Sequence, residues 1–231
     1  MAHEYWMRLR NMHRYQGLRS LMWHVAVKCA APLGRIELAF LYEMPLTRPV
    51  EITRARVNAT VTPATRADVA ELAVVFAQSE DAPPERIPAI TQAIGRRLDS
   101  GEICFIARVG PQIVHYNWIS FRWKESLADR FIVLAEDAAY CGGAYTVESW
   151  RGQAIHTEVN SMMLRFLYER GFRRAYTFVN GDNRSSRKTM NRLGWKRSGV
   201  MVTFKARREK RARIWLLKGT LDPFVAERIP Q

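Results

Sequence analysis

The chain has 231 residues, of which 48% are hydrophobic, so it can bury an ordinary core and is not globally disordered. Its formal net charge of +14 suggests an anionic partner, and no run of about 20 apolar residues predicts a membrane span. Three cysteines without a CxxC spacing argue against a disulfide framework and against a zinc site. We therefore expect a reducing, cytoplasmic setting and no metal.

The positive charge is concentrated in two segments. Residues 1–35 hold six lysines and arginines and one glutamate, and residues 184–218 hold thirteen and one, whereas the remainder is slightly acidic. Such asymmetry fits the phosphates of a cofactor, an acidic carrier protein, an anionic lipid surface or nucleic acid. It fits equally well a solvated surface that keeps the protein soluble.

Residues 1–50 are predicted to form a basic amphipathic helical extension with one strand, at 35–42. Apolar residues such as Trp6, Met22 and Trp23 recur near helical spacing among arginines. We expect this apolar face to pack on the rest of the chain or on a second copy in a homodimer. The alternative is a lipid surface, which would place the protein peripherally at the inner membrane surface. No signal-peptide pattern is found.

Residues 57–218 alternate strands and helices in one predicted domain, and residues 219–231 form a C-terminal tail. Strands are predicted at 57–63, 103–109, 112–121, 129–134, 138–147, 175–179, 199–205 and 212–218. Helices are predicted at 69–78, 88–98, from 154 to a glycine stop at 171, and at 185–192. This order predicts an α/β (α+β) fold with a mixed central sheet and flanking helices.

The segment after the strand at 138–147 has the features of an anion site. A turn carrying Arg151 and Gly152 follows the strand, and a helix opens near Ala154. Backbone N–H groups and the positive end of the helix dipole then point at one spot, which suits a pyrophosphate. The other interpretation is an ordinary strand-to-helix loop of any α/β protein.

Two motifs in this order resemble those of the GNAT N-acetyltransferase superfamily. The run Arg151-Gly-Gln-Ala-Ile-His156 resembles its acyl-CoA-binding turn, with Ala154 and His156 at positions where small residues are usual. The run Asn183-x-x-Ser186-x-x-x-Met190-x-x-Leu193-Gly194-Trp195 is similar to its second signature. The resemblance covers roughly residues 57–218 and implies a GNAT-type mixed sheet with splayed strands. It also implies direct acyl transfer from acetyl-CoA, or another acyl-CoA, to a small amine acceptor.

The resemblance implies where the cofactor lies. Its pantetheine arm would occupy a split between the strands at 138–147 and 175–179, and its pyrophosphate would lie on the turn. The residues implied in cofactor binding are Tyr145, Thr146, Val147, Arg151, Gly152, Gln153, Ala154, Ile155, His156, Asn183, Ser186 and Arg187. Independently of the resemblance, Gly142-Gly143 predicts a bulge or a close approach in the first of these strands.

Catalysis would need a base for the acceptor ammonium and an acid for the departing thiolate. The candidates for the base are Glu136, Asp137 and His115. Superfamily members often carry a tyrosine as the acid where this chain has Met190, so Tyr145 is the candidate here, with Tyr140 or water as alternatives. Three aromatic residues either line an acceptor pocket or belong to the core: Trp118, Phe121 and Trp123.

Three functions remain open. The first is an acyl-CoA-dependent N-acyltransferase, with an amino sugar or cell-envelope precursor as the expected acceptor, because the basic extension resembles those of some bacterial GNAT proteins linked to cell-surface polysaccharide. The second takes the acyl group from an acyl carrier protein docked on residues 184–218. The third is a catalytically degenerate GNAT-fold protein that binds an anionic partner such as nucleic acid, although Trp195, Phe204 and Trp215 stand at core positions.

Overall fold

The computed structural model describes residues 34–121, 124–127, 130–206, 213–218 and 224–228. The predicted helical part of the N-terminal extension, Trp123 and the loop 207–212 lie outside the described residues.

The described residues form strands and helices in a mixed order. The strands are β1 (Gly34–Pro45), β2 (Thr60–Pro63), β3 (Ile103–Val109), β4 (Gln112–Ser120), β5 (Lys124–Leu127), β6 (Arg130–Leu134), β7 (Ala138–Thr146), β8 (Arg174–Asn180), β9 (Lys196–Ala206), β10 (Arg213–Lys218) and β11 (Phe224–Arg228). The α-helices are α1 (Val69–Ser79), α2 (Ile87–Asp99), α3 (Ile155–Glu169) and α4 (Arg184–Arg192).

Eight strands form the central sheet in the order β10-β9-β1-β8-β7-β4-β3-β2. Among the strands that the structure describes, only β7 and β8 pair in parallel, and α3 makes the crossover between them. The predicted mixed sheet with flanking helices is therefore confirmed. A second sheet has the order β11-β6-β5 and lies beside the start of β7.

The strand predicted at 35–42 is confirmed as β1, and its position is internal. It pairs antiparallel with β8 on one side and with β9 on the other. Leu41 and Tyr42 are buried on opposite faces of the sheet, as expected of a central strand that is covered on both faces. The strand of the N-terminal extension is thus part of the central sheet, whereas the predicted domain limits at residues 50 and 57 stay predictions.

Helices cover both faces of the sheet. The apolar stripe of α3 packs against β3, β4 and β7, with Val159, Met163 and Leu167 fully buried. On the other face α1 and α2 pack against β3 and β4 around Trp118 and Ile94. Burying one such large side chain contributes about 1.5–3 kcal/mol. The two interfaces therefore hold β4 and β7 between packed helices.

Three local details differ from the sequence prediction. The strand expected from residue 57 begins only at Thr60, because the preceding residues run across α3 instead. The strand β5 was not predicted, since Lys124-Glu-Ser-Leu127 lacks an apolar alternation. The strand β11 lies within the predicted tail, and it owes its place to pairing with β6, which no local signal could indicate.

Candidate active site

The two parallel strands separate after a short paired stretch. Residues Ala138 to Tyr140 of β7 pair with Arg174 to Tyr176 of β8, and there the ladder ends. Further along, β7 pairs only with β4, and β8 only with β1. The edge of β7 from Cys141 to Thr146 therefore faces a wedge-shaped gap, as the predicted splay requires. An extended ligand can add to such an edge by backbone hydrogen bonding.

A bulge in β7 lies at the wall of this gap. Gly142 is opposite Trp118 and Tyr145 is opposite Tyr116, so two residues of β7 face one residue of β4. Gly143, inside the bulge, has φ +68°, a conformation that suits glycine. The predicted bulge at the paired glycines is confirmed, and it bends the strand at the middle of the open edge.

The turn after β7 presents a row of free backbone donors. Gly152 has φ +83° and Ala154 has φ +61°, and α3 starts immediately afterwards at Ile155. Within the described part of the chain, the N–H groups of residues 152–156 have no hydrogen-bond acceptor. Consecutive free N–H groups at a helix start, aided by the helix dipole, form a site for an anion such as a phosphate.

Arg151 borders this turn. Its Nε donates to the carbonyl oxygen of Thr146 at 3.2 Å, and its guanidinium carbon lies 5.7 Å from the centre of the Tyr145 ring. A weaker contact of 3.5 Å joins it to Glu148, and the side chain is more than half exposed. The arginine is therefore held over the end of β7 with donors still available to solvent or to a ligand.

A segment before β2 fastens the start of α3, and sequence analysis missed it. Glu158, only 2% exposed, accepts from the backbone N–H of Ala55 and from Arg54 Nη1, both at 2.9 Å. The N–H of Arg56 donates to the carbonyl oxygen of Gln153 at 2.8 Å. A glutamate in the first turn of a helix is the one sequence signal for such an anchor. As a result two arginine residues, at 54 and 56, stand beside the turn.

The turn places His156 against His115: His115 is fully buried, and His156 is half-buried with its Nε2 atom buried. His115 Nδ1 lies 2.7 Å from Thr146 Oγ1, and its ring centre is 5.2 Å from that of His156. Burial holds the pKa of His115 well below 6.5, with a smaller contribution from His156, and burial lowers the pKa of His156 to about 4. Both imidazoles are thus neutral near pH 7. The His156 ring contacts His115 and buries its Nε2, while the residue as a whole keeps part of its surface exposed.

The three predicted base candidates are not brought together. Asp137 precedes β7 and is ion-paired with Arg174 at 2.8 Å, where the parallel strands are still joined. Glu136 is its exposed neighbour in the same turn. His115 pairs with Thr146, nine residues along β7 from Asp137, or roughly 30 Å in an extended strand. Two candidates therefore lie at the closed end of the gap and one at the open end.

The tyrosine candidates also lie at different ends of β7. Tyr140 is the last residue that pairs with β8, and its ring packs near Phe178 at 6.2 Å between ring centres. A Cβ atom on Gly142 would lie 2.5 Å from the Tyr140 hydroxyl oxygen, so this ring covers Gly142. Tyr145, in contrast, packs against Tyr116 close to the turn that carries Arg151.

The second motif forms the start of α4. Asn183 Oδ1 accepts from the backbone N–H of Ser186 at 3.0 Å, which confirms the expected helix cap. Met190, where the GNAT motif that this segment resembles often has a tyrosine, is buried in the core with Trp195. Arg187 faces a separate pocket between α4, β1 and β9.

Several other candidates are part of the core. Trp118 is buried, and Phe121 stacks on Phe172 at 5.0 Å, so these aromatics follow the core alternative and not the acceptor-pocket one. Burial raises the pKa of the Cys141 thiol to about 12, consistent with an inert apolar filler. Among the described residues, no group of three His, Cys, Asp or Glu side chains is placed to hold a metal ion.

The wedge between parallel strands, the bulge beside it and the donor-rich turn into α3 match the GNAT fold. Comparison with solved structures agrees. An acetyltransferase of the GNAT family from Colwellia psychrerythraea superposes with a TM-score of 0.55 at 14% identity, over 80% of this chain and 62% of that one. A ribosomal-protein-alanine N-acetyltransferase from Brucella melitensis gives 0.51 at 16% identity, over 74% and 99%.

A functionally unknown conserved protein from Staphylococcus epidermidis ATCC 12228 has a TM-score of 0.52 at 15% identity, over 76% of this chain and 64% of that one. The chain thus spans less than two thirds of this protein and of the Colwellia protein. No family model matches the sequence, and no curated protein matches it. Within the part of the chain that the structure describes, no helix has both the length and the apolarity to cross a bilayer.

Proposed function

We propose that this protein is an acyl-CoA-dependent N-acyltransferase that transfers an acyl group, most simply acetyl, directly to an amine. The observation that carries the proposal is the row of free N–H groups at residues 152–156, which opens onto the gap between β7 and β8. A pyrophosphate can accept from that row while an extended arm runs along the free edge of β7. The donor row suits a phosphate group, and the free edge of β7 suits an extended chain attached to it.

The length of the open edge limits where the acyl group lies. An arm that starts at the turn and adds to β7 alongside Thr146 reaches the bulge at Gly143 and then the end of the gap at Tyr140. The thioester would therefore lie near the bulge, where the strand bends and a glycine leaves room for an acceptor. Cofactor binding by residues 145–147, 151–156, Asn183 and Ser186 follows from the same placement.

The reaction is a nucleophilic substitution at the thioester carbonyl. The amine nitrogen forms a bond to the carbonyl carbon, the carbon–sulfur bond breaks, and the proton lost by the amine balances the one gained by the thiolate. Tyr140, at the end of the gap, is better placed than Tyr145 to protonate the sulfur. Glu136 is the base candidate whose carboxylate is exposed and without an ion pair among the described residues, acting through water. Positioning supplies much of the rate.

The donor and the acceptor are separate parts of the proposal. The donor is acyl-CoA in the main form, and an acyl carrier protein docked on the basic segment is the alternative. An amino sugar or cell-envelope precursor is the proposed acceptor class. A homodimer, a peripheral place at the inner membrane surface and a nucleic-acid partner are proposals that depend on the basic segments.

Calorimetric titration with acetyl-CoA tests the site. Gly152 and Gly171 offer a matched pair, because both have φ near +82° and an added Cβ meets nothing within 4 Å at either. Changing either to glutamate imposes the same backbone strain, but only Gly152→Glu places a carboxylate at the donor row. We expect Gly152→Glu to lose acetyl-CoA binding and Gly171→Glu to keep it. Equal affinity in both variants would contradict the proposal, and titrations with acyl carrier protein and oligonucleotide test the alternatives.

A further inference from the structure

A pocket lined by positively charged side chains lies beside α4, outside the gap between β7 and β8. A cavity of about 320 Å³ opens there between α4, β1 and β9. Its lining residues are Tyr42, Arg184, Arg187, Lys188, Asn191 and Arg197. Four of these six side chains are positively charged, and none is acidic.

The positive charge in this pocket is not neutralised by the protein. Other arginines of the fold have carboxylate partners, as Arg108 has with Asp68 and Glu71. Within the described residues, no carboxylate lies within ion-pair distance of any of the four cations lining the pocket. The Arg187 Nε is also buried without a hydrogen-bond acceptor. The Arg187 side chain is half-buried and the other three cations are exposed, so an anion in the pocket would gain the attraction of the cluster and offer acceptors to its donors.

Phe40 holds two of the cations close to each other. The guanidinium carbons of Arg187 and Arg197 lie 5.3 and 5.2 Å from the centre of its ring. Stacking on an aromatic ring fixes the plane of a guanidinium and leaves its N–H donors available at the edge. Two fixed guanidinium groups with a neighbouring lysine match the oxygens of a phosphate better than they match a single carboxylate.

The pocket is distinct from the gap between β7 and β8. Its α4 residues follow a spacing of three and four, so they form one stripe of the helix, which faces β1 and β9. The adjoining stripe carries Asn183, Ser186 and the buried Met190. In the sheet, β1 and β8 lie between β9 and the gap. A phosphate in the pocket would therefore be separate from one on the turn at residues 152–156.

We propose that this pocket is a phosphate-binding site for a phosphate monoester or diphosphate group. The group has two conceivable sources, the 3′-phosphate of CoA itself and a different phosphorylated molecule. The site does not depend on the proposed acyl transfer, since its residues and its charge stand apart from the turn that would hold the cofactor pyrophosphate.

Titration of the Gly152→Glu variant with inorganic pyrophosphate tests the pocket, because the glutamate blocks the turn at residues 152–156, which would also take a pyrophosphate. We expect salt-sensitive binding that falls at least tenfold in Arg187→Gln and in Arg197→Gln. The matched control is Arg192→Gln, which removes an exposed charge from the same helix outside the pocket and should change affinity less than twofold. Thermal unfolding midpoints of all the variants verify that they are folded. The arginine substitutions are therefore compared in the Gly152→Glu background, in which the proposed cofactor site is blocked and the pocket is intact.

Two further titrations identify the source of the phosphate. If it is the CoA 3′-phosphate, Arg187→Gln weakens CoA binding but not binding of dephospho-CoA, which lacks that group. If it is another molecule, CoA affinity stays unchanged while pyrophosphate binding is lost. No pyrophosphate binding by Gly152→Glu, or equal binding by the Gln variants and the Arg192→Gln control in that background, would overturn the proposal.

Discussion

The imidazole rings of His115 and His156 lie 5.2 Å apart with their planes at 57°, beneath the turn that would receive a pyrophosphate. Each has a buried Nε2 without a hydrogen-bond partner among the described residues. Protonating His115 would place an unpaired charge in the core, and partial burial also disfavours the charged form of His156. We therefore expect acid to destabilise the packing of the turn against His115.

The first prediction is a loss of stability in acid that depends on His156. Its pKa is about 4 in the folded protein and near 6.5 in the unfolded chain, so the unfolded state binds more protons between these values. Above pH 6.5 the free energy of unfolding is unaffected by this group. As pH falls below 6.5 the free energy of unfolding decreases, and the loss approaches about 3 kcal/mol near pH 4. Urea unfolding of wild type and His156→Gln at a series of pH values measures the difference. Parallel curves for the two proteins would contradict the prediction.

The second prediction concerns Ala154. An alanine at φ +61° carries a left-handed strain of about 1–2 kcal/mol, which a glycine avoids at an entropic cost of about 0.5–1 kcal/mol. We expect Ala154→Gly to stabilise the protein by up to about 1 kcal/mol and to strengthen acetyl-CoA binding, since the removed methyl lies at the donor row. Chemical denaturation and calorimetry measure both effects. Asp81→Gly, at φ +49° in a distant turn, is the control and should leave affinity unchanged.

The third prediction concerns the buried anchor Glu158. Removing its carboxylate leaves the N–H of Ala55 without its acceptor, at a cost of about 2–3 kcal/mol for Glu158→Ala. The bond to Arg54 adds little because that side chain is 74% exposed. Glu169→Ala, which removes an exposed pair with Arg165, should cost about 0.5 kcal/mol or less. Equal losses in the two variants, measured by urea unfolding, would show that the segment at 53–56 is not anchored there.

The fourth prediction separates the two tyrosine candidates. If Tyr140 protonates the leaving sulfur, Tyr140→Phe lowers kcat about 100-fold and leaves acetyl-CoA affinity unchanged. Tyr145→Phe should keep kcat within a few-fold, because the Tyr145 ring lies beside Arg151, at the end of β7 away from the proposed position of the thioester. Thiol release from acetyl-CoA with a panel of amine acceptors measures both rates. A larger loss in Tyr145→Phe would reverse the assignment and would place the thioester closer to the turn.

Features that depend on neighbouring residues were predictable from the sequence. The cap at Asn183, the bulge at Gly143 and the turn into α3 each follow from residue types within a few positions, and all three are present. What escaped prediction depends on distant parts of the chain. The contact between His156 and His115 joins α3 to β4, and the anchor at Glu158 requires a segment about a hundred residues earlier.

The internal position of β1 has a consequence for biosynthesis. Phe40 pairs with Val179 on one side and with Val200 on the other, so its partners are translated 139 and 160 residues later. During synthesis β1 therefore stays unpaired until β8 and β9, which are made much later, have left the ribosome. Such long sequence separations slow folding and expose strand edges to aggregation. The yield of this protein should therefore depend on chaperones that hold nascent chains.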